Sequence, residues 1–299
     1  MPVRRNIRAL FVFSLVFISA ILVGALLAFP AYEVVTEFTE IPFRKIISRT
    51  TLLSGLLFSL LYFSYSSGLS LRQLGIRFHN AHIRLLQGLA AGLACIAIIE
   101  CNLLLLGIHD LDEERLFSLD AVSLLLFQGL ITGLLVGVVE ELIFRGALLG
   151  GLSRQTNKVV ALVTVSLVFA AVHYLKFRDL PADTVITWYT GVAMLPPALF
   201  QFADPVRYDA MLTLFFLGLL LGLVRILTGN LILCIGIHAG LIAGEATIQS
   251  VAYLVPHNPH AHLVNRHDQF MGDLASVWLL VFCVTFYFYY RRKQNRISP

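Results

Sequence analysis

Long apolar stretches separated by short polar connections dominate the chain. Stretches close to the roughly 20 residues that cross a bilayer lie at 9–30, 51–69, 85–107, 121–150, 159–176, 210–227, 231–252 and 274–290. The pattern predicts eight helices with no soluble domain between them. The first stretch is too long for a signal peptide and no small-residue cleavage site follows it, so we expect a retained anchor.

Composition excludes the soluble classes of protein. Hydrophobic residues make up 58% of the 299 residues and charged residues 13%, about half the roughly 25% of soluble domains. The mean hydropathy is +0.82. The four cysteines lie in apolar runs without metal-binding spacing and are expected to be small buried hydrophobes. We therefore predict an all-α, polytopic membrane helix bundle of about eight transmembrane helices, with the lipid bilayer as one partner and no nucleic acid.

The placement of charge predicts an orientation. Basic residues cluster at 4–8, 72–84, 154–158 and 291–296, whereas the alternate connections at 110–114 and 179–204 are acidic or mixed. Under the positive-inside rule this places both termini in the cytoplasm, and we expect a multi-pass protein of the plasma (inner) membrane. The 177–208 connection is long and half apolar, so it is expected to lie in the interface or to re-enter the membrane.

Ionisable residues inside the fourth apolar stretch are the first functional candidates. A charge near the bilayer centre costs about 2.5–3.5 kcal/mol, so such residues are rarely accidental. On a helix, Glu141 and Arg145 are i,i+4 neighbours that can neutralise each other. Glu140 lies about 140° around the axis from Arg145 and is left to point elsewhere. The structural alternative is a buried ion pair with a spare acid.

The fifth stretch ends with a histidine, His173, one turn after Phe169. Alone, such a histidine is more often a satisfied core residue than a catalyst. Glu140 and His173, however, are equidistant from the polar turn 153–158, so a helical hairpin would carry them to the same depth. An acid facing an imidazole in an apolar site is a plausible pair for activating water.

The seventh stretch carries a second histidine and a third acid. His238, Ile242 and Glu245 share one helical stripe. Glycines at every fourth position form ridges that allow close helix packing, at positions 129, 133 and 137 in the fourth stretch and 236, 240 and 244 in the seventh. The polar core is therefore expected to lie inside the bundle.

Taken in order, these motifs resemble the CPBP family of CAAX prenyl endopeptidases and bacteriocin-processing or immunity relatives. They are E-E-x-x-x-R beginning at Glu140, F-x-x-x-H ending at His173, and the histidine His238. The resemblance covers about 120–250 and implies an intramembrane protease with its site inside the bundle. It divides the chain into N-terminal helices (1–118), a protease-like core (119–252) and an outer loop, last helix and basic tail (253–299).

The resemblance also implies roles for the motif residues. Glu140 and His173 would activate water, and His238 would polarise the scissile carbonyl or hold its oxyanion. The family usually has Asn or Asp four residues after this histidine, but Ile242 stands there. Glu245 is the nearest polar residue on the stripe, and we expect it to orient His238.

The leading hypothesis is an intramembrane endopeptidase that hydrolyses a peptide bond of a membrane-associated protein or peptide without a cofactor. A zinc enzyme with Glu140, His173 and His238 as ligands is the alternative mechanism. A non-catalytic immunity or scaffold protein is the competing class, which Ile242 keeps open. A transporter is third, since broken helices and repeated halves are not evident.

Overall fold

The computed structural model describes residues 2–67, 70–116, 118–181, 183–201, 208–255, 257–265 and 269–297. Helices make up most of this part of the chain. In order they are α1 (Pro2–Thr36), α2 (Phe43–Ser67), α3 (Leu71–Leu74), α4 (Ala81–Leu105), α5 (Glu113–Leu116), α6 (Leu119–Glu141), α7 (Leu149–Gln155), α8 (Lys158–His173), α9 (Thr190–Ala193), α10 (Leu195–Phe200), α11 (Tyr208–Thr228), α12 (Leu231–Val251) and α13 (Asp273–Ile297).

The remaining regular elements are short. A π-helical segment (Leu142–Leu148) follows α6, and a 3-10 turn spans Ala261–Leu263. Strands β1 (His109–Leu111) and β2 (Ala252–Leu254) form an antiparallel ribbon that pairs His109 with Leu254.

The all-α, membrane-spanning architecture predicted from the sequence is confirmed. Among the described residues, seven helical stretches are long and apolar enough to cross a membrane. The predicted number of eight is approximate. The stretch predicted at 159–176 forms α8, whose 16 residues are fewer than the roughly 20 that span the hydrocarbon core.

By their internal contacts the residues form two compact units, 1–69 with 147–205, and 70–146 with 206–299. In the first unit α1 and α2 run antiparallel, because Phe13 contacts Tyr62 while Tyr32 contacts Phe43. The segment from Phe177 through α9 and α10 packs on the same end of this helix pair. The shared core consists of Ala25, Ala28, Phe43, Ile47, Phe177, Met194, Leu195 and Ala198.

The second unit is built around α12, which packs against α4 on its glycine-rich face. Side chains at Gly236 and Gly240 would overlap the backbone carbonyls of Leu85 and Leu89. The absence of Cβ atoms therefore brings the two backbones into direct contact. The predicted ridge in the seventh apolar stretch thus forms the α4 interface.

The other side of α12 packs against α6, which runs antiparallel to it. A Cβ at Gly133 would lie 2.7 Å from the carbonyl oxygen of Ala239, and one at Gly129 would lie 3.0 Å from the Cα of Ala243. The predicted ridge in the fourth stretch therefore also lies at a helix interface. Between α4 and α6, α12 is largely buried, which removes its polar side chains from lipid.

A buried ion pair holds the β1 end of the second unit. Nδ1 of His109 lies 3.0 and 3.1 Å from the two carboxylate oxygens of Glu100, and Nε2 lies 2.7 Å from the backbone carbonyl oxygen of Gln269. Both ring nitrogens face acceptors, so both contacts require the charged ring with two N–H donors. Burial lowers the pKa of His109, but the hydrogen bond and charge of Glu100, with the Gln269 carbonyl, raise it overall above 6.5.

We therefore expect the protein to lose stability as the pH rises through the raised pKa of His109. The charged His109 ring contributes its full stabilisation below about pH 6.5, the ordinary pKa of histidine in the unfolded chain. This stabilisation is lost as the pH rises above the pKa of His109 in the folded protein, because the neutral ring has one N–H donor for two acceptors. A charge-assisted hydrogen bond contributes about 1.5–3 kcal/mol, so thermal unfolding in detergent should shift by several degrees. The paired variant Glu100→Gln with His109→Gln serves as control and should show a flatter profile between pH 6 and 9; equal slopes would contradict this prediction.

Candidate active site

Helix α12 begins two residues after a left-handed turn that only glycine adopts easily. Gly229 has φ +65°, and the side chain of Asn230 accepts a hydrogen bond of 3.0 Å from the backbone N–H of Leu233. This N-cap fixes the start of the helix, and with it the position of His238 two turns later. At that level of α6 a Cβ on Gly137 would lie only 3.6 Å from the Cβ of His238. The close approach brings the acidic end of α6 against the histidine.

Three fully buried polar side chains form a hydrogen-bonded cluster at this point. One oxygen of Glu141, Oε1, accepts from Nη1 of Arg145 and from Nδ1 of His238, each at 2.8 Å. The exposed fractions of Glu141, Arg145 and His238 are 0%, 1% and 4%. The ion pair expected between Glu141 and Arg145 is therefore present, and it also fixes the imidazole of His238 in position.

The second acid, Glu140, points to the other nitrogen of the same ring. Its Oε2 lies 3.8 Å from Nε2 of His238, and its side chain is 17% exposed, against 0% for Glu141. A separation of 3.8 Å is too long for a direct hydrogen bond, and the Oε2 atom itself is buried although the side chain as a whole is partly exposed. The adjacent acids thus occupy different surroundings, since Glu141 is enclosed by its partners and Glu140 is more accessible.

A π-helical segment begins directly after these acids and contains Arg145. Such segments add one residue to a helical turn and occur frequently at functional sites. Sequence analysis treated the whole stretch as a regular helix and missed this change. In an almost entirely apolar stretch, a seven-residue π-helical segment does not change the pattern of polar and apolar residues, so the sequence does not predict it.

The first unit contains the F-x-x-x-H motif at the end of α8. Helix α8 starts at the N-cap Asn157, which accepts from the N–H of Val160 at 2.8 Å, and it ends at His173. Nδ1 of His173 donates to the carbonyl oxygen of Phe169 at 2.7 Å, and the two rings lie 4.5 Å apart between centroids. This hydrogen bond fixes the tautomer, so a neutral His173 has its lone pair on Nε2.

For Nδ1 of His238 the carboxylate partner is Glu141, not the expected Glu245. Glu141 is 97 positions from His238 in the sequence, and the antiparallel packing of α6 against α12 brings the two side chains together. Glu245 instead lies two turns beyond His238 along α12. Oε1 of Glu245 accepts from Nε2 of Gln249 at 3.3 Å. Sequence analysis missed the contact between Glu141 and His238, although the four-residue spacing of Gly133 and Gly137 was a signal for it.

The alternative zinc site of Glu140, His173 and His238 stays a prediction. Within the ranges that the structure describes, no three His, Cys, Asp or Glu side chains cluster in a way suited to a metal ion. Arg145 also places a positive charge beside Glu141, which disfavours a second cation there.

Fold and site together define an integral multi-pass membrane protein with a buried Glu–Arg–His cluster between packed helices. The pattern of the family described as Type II CAAX prenyl endopeptidase Rce1-like matches residues 122–244. The matched range includes Glu140, Glu141, Arg145, Phe169, His173 and His238. It confirms the resemblance to the CPBP family over this part of the chain and supports a function of the CAAX-protease type. No curated protein and no solved structure matches the chain.

Proposed function

We propose that the protein is an intramembrane endopeptidase in which Glu140 activates water for attack on a peptide bond. The observation that carries this proposal is the placement of Glu140 Oε2 3.8 Å from Nε2 of His238, inside the segment matched to the endopeptidase family. A carboxylate beside an imidazole is the pair of groups that such a hydrolysis needs.

In the proposed reaction Glu140 takes a proton from water while the water oxygen bonds to the scissile carbonyl carbon. The carbonyl oxygen becomes an oxyanion, and His238 donates a hydrogen bond to it through Nε2–H. The proton held by Glu140 then passes to the leaving nitrogen, and the C–N bond breaks. The products are a new carboxylate and a new amine, and Glu140 is regenerated.

Glu141 and Arg145 act on this reaction through His238. The hydrogen bond from Nδ1 to Glu141 holds the ring with Nε2 directed to the Glu140 side, and Arg145 offsets the charge of Glu141. A ring held in advance loses no rotational freedom at the transition state. Both residues are therefore positioning residues in the proposal, whereas Glu140, His173 and His238 are the catalytic ones.

His173 enters the proposal from the order and spacing of the sequence motifs, as the group that assists Glu140. With cysteines at positions 140 and 173, in a background without the four native cysteines, we expect cross-linking by a short bifunctional reagent. The reason is their equal distance from the 153–158 turn in a hairpin. Efficient linking of 133 to 173, with none from 140, would show that the two motifs do not share a site.

We propose a membrane-associated protein or peptide as the substrate, and the plasma (inner) membrane as the location. Both termini are cytoplasmic in this proposal, which requires that α8 crosses the membrane together with the seven longer helices, so that the number of crossings is even. The test is a proteomic comparison of membranes from cells that contain the wild-type protein or the Glu140→Gln variant. New N-termini that depend on Glu140 identify the substrate. Identical peptide sets at equal protein levels would overturn the proposed protease.

A non-catalytic immunity or scaffold function is the second candidate, and Ile242 is the observation that favours it. An isoleucine offers no hydrogen bond to a substrate oxygen, whereas Asn or Asp four residues after the histidine is usual in the family. Losing one oxyanion donor costs about 2.7–4 kcal/mol, or 10²–10³ in rate. The replacement Ile242→Asn separates the candidates, because it should raise the cleavage rate of a protease and add no cleavage to a scaffold protein.

A further inference from the structure

A cavity of about 380 Å³ lies in the first unit, within the segment that follows α8. Its volume falls in the range of about 300–1,000 Å³ that small-molecule sites occupy. One wall comes from the chain directly after α8 and includes Lys176, Arg178 and Asp179. The rest of the lining comes mainly from α9 and α10. The proposed protease mechanism uses none of these residues.

The polar wall carries an excess of positive charge. Asp179 is the acid of the lining, and Arg44 at the start of α2 forms an ion pair with it. Within the described ranges, Lys176 and Arg178 form no ion pair, and both are exposed. With Asp179 offset by Arg44, the two cations remain to attract an anion. The hydroxyl-bearing residue Thr184 completes this wall.

The apolar part of the lining lies near the start of a membrane-spanning helix. It includes Leu180, Met194 and Pro197, and Met194 belongs to the core that includes Phe43, the first residue of α2. The end of a spanning helix marks the boundary between hydrocarbon and headgroups.

The aromatic side chains beside the cavity also indicate a position at the boundary between hydrocarbon and headgroups. Trp188 is 58% exposed and Tyr189 is 71% exposed, and Trp188 contacts Phe29 of α1. Exposed Trp and Tyr are enriched at the membrane interface, where their rings meet headgroups.

We propose that this cavity binds an anionic phospholipid, with the phosphate at Lys176 and Arg178 and the upper acyl chain along Leu180 and Met194. The cationic excess selects an anionic lipid over a zwitterionic one, because juxtamembrane Lys and Arg attract anionic lipids. The apolar wall selects a lipid over free phosphate, since phosphate buries no apolar surface. The lipid then stays bound to the residues that line the cavity.

Native mass spectrometry of the detergent-purified protein tests this assignment with added phosphatidylglycerol or phosphatidylcholine. We expect the wild type to retain phosphatidylglycerol preferentially. The double variant Lys176→Gln with Arg178→Gln should retain it at least about tenfold less, since each cation contributes about fivefold. The control Arg292→Gln with Lys293→Gln removes the same charge from the exposed end of α13 and should behave as wild type.

A second variant fills the cavity without altering charge. Ala193 lines the cavity at the exposed end of α9, so Ala193→Phe should exclude the lipid and leave both cations in place. Equal retention of phosphatidylglycerol by wild type and both cavity variants would overturn the proposal. The proposal would also be overturned if the wild type retained phosphatidylcholine as strongly as phosphatidylglycerol, or if inorganic phosphate alone displaced the lipid. None of these outcomes depends on proteolysis.

Discussion

Replacement of Glu140 by glutamine is expected to abolish cleavage while the protein still folds and inserts. Glutamine keeps the shape of the side chain but cannot accept a proton from water. General-base catalysis contributes about 10²–10⁴ in rate, so cleavage should fall by at least that factor. Glu140 is the more exposed of the two adjacent acids, and its neutralisation leaves the hydrogen bonds of Glu141 intact.

The measurement is the rate of cleavage of the substrate identified by proteomics, with thermal unfolding followed in parallel. Glu113→Gln is a matched control, because it makes the same change at an exposed carboxylate in α5. It should leave both rate and unfolding temperature unchanged. Full turnover by the Glu140→Gln protein would show that Glu140 is not the base.

Apolar periodicity predicted the helices well because their lengths are set by the bilayer. The stretch predicted at 231–252 forms α12, which ends at Val251, and the one predicted at 210–227 forms α11, Tyr208–Thr228. Helices across a membrane satisfy their own backbone hydrogen bonds, so hydropathy alone locates them. The fifth stretch departs from its prediction, because its last residues leave the helix at His173.

Local sequence patterns could not predict the hydrogen bond between Glu141 and His238. Helical spacing predicts partners within one helix, as it did for Glu141 and Arg145, but the neighbour of α12 depends on the tertiary packing of small residues. Gly133 against Ala239 sets the register that brings the two together. For the same reason Glu245 was expected to orient His238, because it was the nearest acid along the same helix.

Replacement of Arg145 by alanine is expected to cause the largest loss of stability. The change leaves Glu141 charged and fully buried, and its Oε2 already has no hydrogen-bond donor within the described part of the chain. Breaking one side of a buried ion pair costs about 3–5 kcal/mol, against a total stability of about 5–15 kcal/mol for most proteins. We expect much less folded protein in the membrane and a lower unfolding temperature in detergent.

The double variant Glu141→Gln with Arg145→Met separates charge balance from positioning. It removes both charges and keeps similar side-chain volumes, and replacement of a whole buried pair is often neutral for stability. We therefore expect it to recover most of the unfolding temperature lost by Arg145→Ala. Cleavage should remain impaired, because a neutral amide holds the ring of His238 less firmly than a carboxylate does. If cleavage recovered together with stability, Glu141 and Arg145 would be structural only, and His238 would be positioned by other contacts.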